Sequence, residues 1–172
     1  RATAVLMARE GARVVVADVA DEEGRGTVRA IQEAGGDAVY CRADVGKAQG
    51  VKRMVGTAMR TYGRLDVLHN NAFWHRIGSV VDLEERDWDR TQAVCLKAIY
   101  LGGKYAIPEM LKTGGGAIVN TSSIHSLVSF GQCPAYDSAK AGILGLTRTM
   151  ALDFGPEIRV NVIAPGFIAD TR

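Results

Sequence analysis

Cysteine is scarce in this chain. Three residues, Cys41, Cys95 and Cys133, are odd in number and widely spaced. They fit neither a disulfide framework nor a zinc site, and they point to a reducing, cytoplasmic setting. Charge of one sign is also lacking. Lys and Arg total 21 against 19 Asp and Glu, a net charge of +2, and no basic run occurs. Nucleic acid is therefore not an expected partner. No apolar stretch is long enough to cross a bilayer, and nothing resembles a signal peptide, so no membrane partner is expected. Internal repeats, low-complexity tracts and interdomain linkers are missing too. His69, His75 and His125 lack metal-site spacing, so no metal is expected. Hydrophobic residues make up 47% and charged residues 23% of the 172, the balance of one domain with a real core over 1–172.

What is present is alternation. Arg1 to Glu10 reads as a helix already under way, stopped by Gly11. The run from Ala12 to Asp18 reads as a buried parallel strand with a carboxylate at its carboxyl end. Asp21 to Ala34 follows as a helix with Val28 and Ile31 on one face. Ala38 to Cys41 is a second strand, closing on Asp44-Val45. Val51, Met54, Val55, Ala58, Met59 and Tyr62 follow the spacing of a one-sided helix, ended by Gly63. Leu65 to Leu68 predicts a third strand running into His69-Asn70-Asn71-Ala72, and Asp87 to Met110 a long helix. Gly114-Gly115-Gly116 precedes a strand and does not open a helix after one, so it reads as a turn and not a phosphate loop. Arg159 to Ile163 is the last strand, followed by Ala164-Pro165-Gly166. Such alternation predicts a doubly wound α/β fold of parallel βαβ units. The polar strand ends (Asp18, Asp44, Asn70, Ser123, Pro165-Gly166) would share one edge, the usual place for a ligand crevice.

The chemistry concentrates in Ala117 to Lys140. An apolar strand ends in Asn120-Thr121-Ser122-Ser123, and Tyr136-Asp137-Ser138-Ala139-Lys140 opens a helix. Tyr136 and Lys140 are four apart and share a helix face. A free phenol titrates near pH 10 and is a poor base at neutrality, whereas a neighbouring ammonium favours the phenolate. So placed, Tyr136 could exchange a proton with an alcohol or carbonyl, and Ser123 could bond the same oxygen. His125 follows Ser123 closely and could line a substrate site. Trp74 and Trp88 read as packing groups.

These residues carry a family resemblance over essentially the whole chain. ADV at 17–19 and again at 43–45, NNA at 70–72, IVNTSS at 118–123, YDSAK at 136–140 and RVNVIAPG at 159–166 together resemble the nicotinamide-dependent short-chain dehydrogenase/reductases. The resemblance implies a Rossmann-type doubly wound sheet with helices on both faces. It implies hydride transfer between NAD(H) and a small-molecule alcohol or ketone. Tyr136 would be the acid/base, Lys140 its pKa modifier and a binder of the nicotinamide ribose, and Ser123 a substrate-positioning group. Asp44 and Val45 would meet the adenine. Asn70 and Ala72 would lie against the cofactor, and Pro165, Gly166 and Ile168 near the nicotinamide. Asp18 would bond the ribose hydroxyls of NAD and repel the extra phosphate of NADP. A helix-capping or solvated acid is the plainer reading of the same residue. A homodimer or homotetramer built on the long helices is also implied.

The chain departs from the family pattern in three places. The glycine-rich turn and the first strand are missing, and the chain also stops short of the family's carboxyl end. It therefore reads as a single dinucleotide-binding domain truncated at both ends. Cys95 stands where the family usually has an asparagine that holds a relay water, and Phe73 replaces the glycine of the family's NNAG. Asp170 and Thr171 stand near a threonine position of the family and receive no role. Cys95 and Phe73 motivate an alternative, a nicotinamide-binding sensor or scaffold with little turnover. The substrate itself is not legible.

Overall fold

The computed structural model describes residues 1–168, so Asp170 and Thr171 lie outside the described residues. These residues form two compact units, 1–64 and 65 onward. Each is an all-parallel α/β assembly, as the strand–helix alternation predicts.

In the first unit α1 (Ala2–Arg9), β1 (Val14–Asp18), α2 (Asp21–Glu33), β2 (Ala38–Arg42) and α3 (Ala48–Tyr62) follow one another. β1 and β2 pair in parallel, with Val14 opposite Ala38 and Asp18 opposite Arg42. Successive strand side chains point to opposite faces, so Val14, Val16 and Tyr40 share one face. That face packs with Ala4, Val5 and Ala8 of α1 and Val28 and Ile31 of α2. Thr57 of α3 reaches Cys41, on the opposite face, at 3.6 Å. Helices thus cover both faces. Three acids open α2, where carboxylates favour the positive end of the helix dipole. Gly63 ends α3 in the left-handed conformation at φ +74°, the stop its sequence predicts.

The second unit contains β3 (Val67–Asn70), α4 (Glu85–Gln92), a π-helical turn (Ala93–Lys97), α5 (Ala98–Lys112), β4 (Gly116–Thr121), a 3₁₀ turn (Ile124–Ser126), α6 (Pro134–Phe154) and β5 (Ile158–Ile163). The sheet order is β3-β4-β5, all parallel. β3 starts two residues later than the sequence predicts and includes His69 and Asn70. The reason is side-chain pairing at the strand end: the Asn70 amide donates to the Asn120 side chain at 2.8 Å, which prolongs the ladder into polar residues. The span from Asp87 to Met110 is helical as expected, with one π-helical turn at Ala93–Lys97 between α4 and α5. The Gly114–Gly116 turn holds φ of +96° at Gly114 and +111° at Gly115, and a Cβ on Gly115 would lie 2.3 Å from the Glu157 carbonyl. Only glycine fits there.

α5 and α6 pack on one face of this sheet. Gly102 of α5 sits directly over Leu68 and Asn70, and Thr147 of α6 accepts a bond from Asn120 at 3.0 Å. Ile118, Asn120, Ile143 and Ile158 are fully buried between sheet and helices. Among the described residues β1 and β3 each carry a strand partner on one edge only, so the doubly wound Rossmann-type sheet takes the form of two parallel sheets here, incomplete as expected.

Candidate active site

Ser123, Tyr136 and Lys140 come together at the carboxyl end of β4. Ser123 follows the strand, and Tyr136 and Lys140 lie in the first two turns of α6, whose start is set by Pro134 at the first helical turn. The Ser123 hydroxyl and the Tyr136 phenol are hydrogen-bonded. The Lys140 ammonium lies 5.3 Å from the centre of the Tyr136 ring and donates to the Thr121 carbonyl at 2.8 Å. Its own carbonyl accepts the Ser122 hydroxyl at 2.8 Å, tying strand end to helix. Lys140 is only 2% exposed.

Burial decides the electrostatics. Desolvation pushes the Tyr136 phenol above its ordinary value, the Ser123 hydrogen bond opposes that rise, and Asp137 adds to it. Burial likewise pushes the Lys140 ammonium down. Ser123 is the group that lowers the phenol here, and the Lys140 ammonium gives one of its N–H donors to the Thr121 carbonyl.

Cys95 occupies the π-helical turn and is 1% exposed. Its sulfur accepts from the Trp74 amide at 3.5 Å and donates to the Trp74 carbonyl at 3.3 Å. Burial raises its thiol pKa, and the Trp74 bond and Lys140 oppose this. The asparagine position of the family is thus filled here by a sulfur clamp on the loop after β3. Phe73 in that loop is 68% exposed. Asn70 is held in a chain running through Asn120 to Thr147. His69 contacts the Thr121 hydroxyl at 3.0 Å.

Around Tyr136 stand two histidines. The His75 ring centre is 5.0 Å and the His125 ring centre 5.2 Å from that of the phenol, the latter edge-on at 84°. The His75 Nε2 meets Cys133 at 3.8 Å, its Nδ1 is buried without a partner, and burial lowers its pKa. His125 pairs with Asp137 and stacks on Phe130. Cys133 also approaches this pair, its sulfur, a His125 nitrogen and an Asp137 oxygen lying within 4.8 Å of one another. Sequence reasoning found His125 but not its partner, because nothing in residues twelve apart announces a contact. It also missed the Cys95–Trp74 clamp for the same reason. Beyond His125 a cavity of about 530 Å³ opens, lined among others by Ser126, Phe130, Cys133 and Asp137.

Pro165, Gly166 and Ile168 follow β5. The Pro165 carbonyl accepts the Ile124 amide at 3.0 Å, and Gly166 and Ile168 are exposed. Ala72 is exposed as well. In the first unit Asp18 ends β1 and is exposed, with one carboxylate oxygen accepting the Ala20 amide at 3.0 Å. Asp44 and Val45 follow β2, and Asp44 accepts the Gly46 amide at 3.1 Å. A Cβ on Gly50 would lie 2.1 Å from the Asp44 carbonyl, so α3 starts against that turn only because residue 50 is glycine.

A family model described as enoyl-(acyl carrier protein) reductase matches residues 1–172. The chain is 42% identical over 172 residues to trans-4-hydroxycyclohexanecarboxylate dehydrogenase of Sinomonas cyclohexanicum, covering 96% of this chain and 66% of that protein. The chain belongs to the short-chain dehydrogenase/reductase family. An oxidoreductase of Thermotoga maritima without an assigned substrate is 41% identical over 164 residues, 95% of this chain and 64% of its own length. A crystal structure assigned to the short-chain dehydrogenase/reductases, from Burkholderia xenovorans, superposes with a TM-score of 0.91 at 33% identity, over 96% of this chain and 66% of that one. This short-chain dehydrogenase/reductase chain therefore spans 64% to 66% of the length of these relatives.

Proposed function

We propose that residues 1–172 form the dinucleotide-binding and catalytic domain of an oxidoreductase that interconverts a small-molecule alcohol and a ketone with NAD(H). The observation that carries this reading is the Ser123–Tyr136 hydrogen bond with the Lys140 ammonium 5.3 Å from the phenol ring, at a strand's carboxyl end. Two relatives, a trans-4-hydroxycyclohexanecarboxylate dehydrogenase and a cyclohexanol dehydrogenase, support it.

The donor set suits a nicotinamide cofactor. Asp18 keeps a carboxylate oxygen for ribose hydroxyls after accepting the Ala20 amide. Lys140 has three N–H donors and uses one on Thr121, so it retains donors for a second ribose. On this reading Asp44 and Val45 of the first unit, and Asn70, Ala72, Pro165, Gly166 and Ile168 of the second, are further cofactor-binding residues. NAD is favoured over NADP because Asp18 would repel a 2′-phosphate. The cofactor supplies or accepts the hydride. Tyr136 takes the hydroxyl proton of the alcohol, or returns it to the carbonyl oxygen. Ser123 bonds the same oxygen and favours the phenolate. The three free cysteines suit a reducing cytoplasm. Apolar groups on the long helices, Trp88, Tyr100 and Leu152, stand exposed and suit a homodimer or homotetramer.

The test uses the full-length protein with NAD or NADP and a panel of secondary alcohols, in wild type and Tyr136→Phe. Reduction of NAD that disappears in Tyr136→Phe is the expected result. Preference for NADP would remove the role of Asp18 and leave the enzyme. Tight NAD binding with no turnover of any alcohol would favour the sensor alternative.

A further inference from the structure

Asp137 holds two parts of the site at once. One carboxylate oxygen takes the His125 Nδ1–H at 2.5 Å, and the other accepts the Phe130 amide at 3.0 Å. The side chains of both partners are mostly buried, at 19% and 12% exposure. His125 is further confined by stacking on Phe130, with ring centres 4.4 Å apart and 28° between planes. Its ring and that of Tyr136 stand edge-to-face with centres 5.2 Å apart, and its amide donates to the Ser123 hydroxyl at 3.2 Å. Ser126 closes the loop by donating to the Ser123 carbonyl at 2.6 Å.

We propose that Asp137 is a positioning residue that acts through His125 to hold the Tyr136 phenol in its reactive arrangement beside Ser123. The proposal rests on the acid/base role given to Tyr136 above and assigns the support of that role. A phenol ring packed only against flat apolar surface slides and rotates at little cost. An imidazole pressed edge-on against it restrains it, provided the imidazole is itself locked. His125 has one ring nitrogen bound to a carboxylate, which fixes both its tautomer and its ring plane. The same carboxylate holds Phe130, the plate on which His125 rests. Removing Asp137 frees the imidazole, and the imidazole then no longer restrains the phenol. Loss of alignment in the reacting groups is costly, because catalysis depends on near-attack geometry.

The test is a double-mutant cycle in the full-length protein with Asp137→Ala, His125→Ala and both together. The expected result is about a 10-fold loss of kcat in each single variant, with the dissociation constant for NAD unchanged. The double variant should lie within about 2-fold of either single variant, because both act along one path. Losses that multiply would overturn the proposal, as would full activity in Asp137→Ala. A second measurement does not need turnover. In NMR spectra the Tyr136 ring resonances of Asp137→Ala should move to those of His125→Ala, and His125 should lose its fixed Nδ1–H tautomer. Unmoved Tyr136 resonances and a retained tautomer would sink the positioning role even in a protein that oxidises no alcohol. Conversely, a wild type without turnover but with these shifts would overturn the enzyme reading alone.

Discussion

The sulfur of Cys95 holds both polar groups of one peptide residue, accepting from the Trp74 amide at 3.5 Å and donating to its carbonyl at 3.3 Å. The clamp joins the π-helical turn to the loop that follows β3. π-Helical turns interrupt a helix at a local cost and recur at functional sites. Here the interruption places a small, weakly polar side chain where two backbone groups need a partner.

Cys95→Ala should therefore destabilise the protein by about 1–3 kcal/mol, since it leaves two part-buried backbone groups without their side-chain partner. Denaturant unfolding measures this. Cys95→Asn restores a donor and an acceptor and should recover part of the loss. An unchanged midpoint in Cys95→Ala would show that the clamp contributes nothing.

Tyr136→Phe should lower kcat by about 10²- to 10⁴-fold, the usual contribution of a positioned proton donor and acceptor. Its thermal midpoint should stay close to wild type, because the phenol is half-buried and its ring packing is retained. Steady-state rates and a melting curve on the same preparation check both.

On the proposed mechanism, burial and Ser123 together shape the pH dependence. Its hydrogen bond lowers the Tyr136 pKa against the rise caused by burial. Alcohol oxidation needs the phenolate, so the rate should climb with pH through the folded pKa. Ser123→Ala removes the lowering influence, so that limb should move to higher pH, on top of a loss of about 10- to 100-fold on the plateau. A limb that moves to lower pH would contradict the hydrogen bond.

Two phenols in the first unit give an alkaline signature. Burial, followed by hydrogen bonds to Asp21 and Asp37, pushes Tyr40 and Tyr62 from 10.0 up to about 12. Folding favours their protonated forms. Their stabilisation is complete below about pH 10 and is lost as the pH rises through about 12. Tyr40→Phe and Tyr62→Phe should each flatten the fall of stability in that window, as followed by unfolding at fixed denaturant.

Gly102 lies so close to β3 that an added Cβ would sit 2.8 Å from the Asn70 side-chain oxygen. Gly102→Ala should push α5 outward, disturb the Asn70–Asn120–Thr147 chain and cost about 1–3 kcal/mol. A helix interior that gained stability from alanine, as propensity alone would suggest, would show that the sheet yields instead.

The sequence by itself determined the order and type of the elements, because these follow from periodicity and punctuation. Val28 and Ile31 recur at helical spacing and are buried, and Gly11, Gly35 and Gly63 stop their segments with positive φ. It also determined that Ser123, Tyr136 and Lys140 would meet, since one ends a strand and the others share a face of the following helix. Tertiary structure decided what no local pattern contains. The π-helical turn within the long helix, the partner of Cys95, the His125–Asp137 pair and the extension of β3 into Asn70 all depend on residues distant in the chain. So does the environment of Tyr136. A sequence shows that a lysine is four residues away, whereas the solvent excluded around the phenol, and the carbonyl that engages the lysine, exist only once the chain has packed.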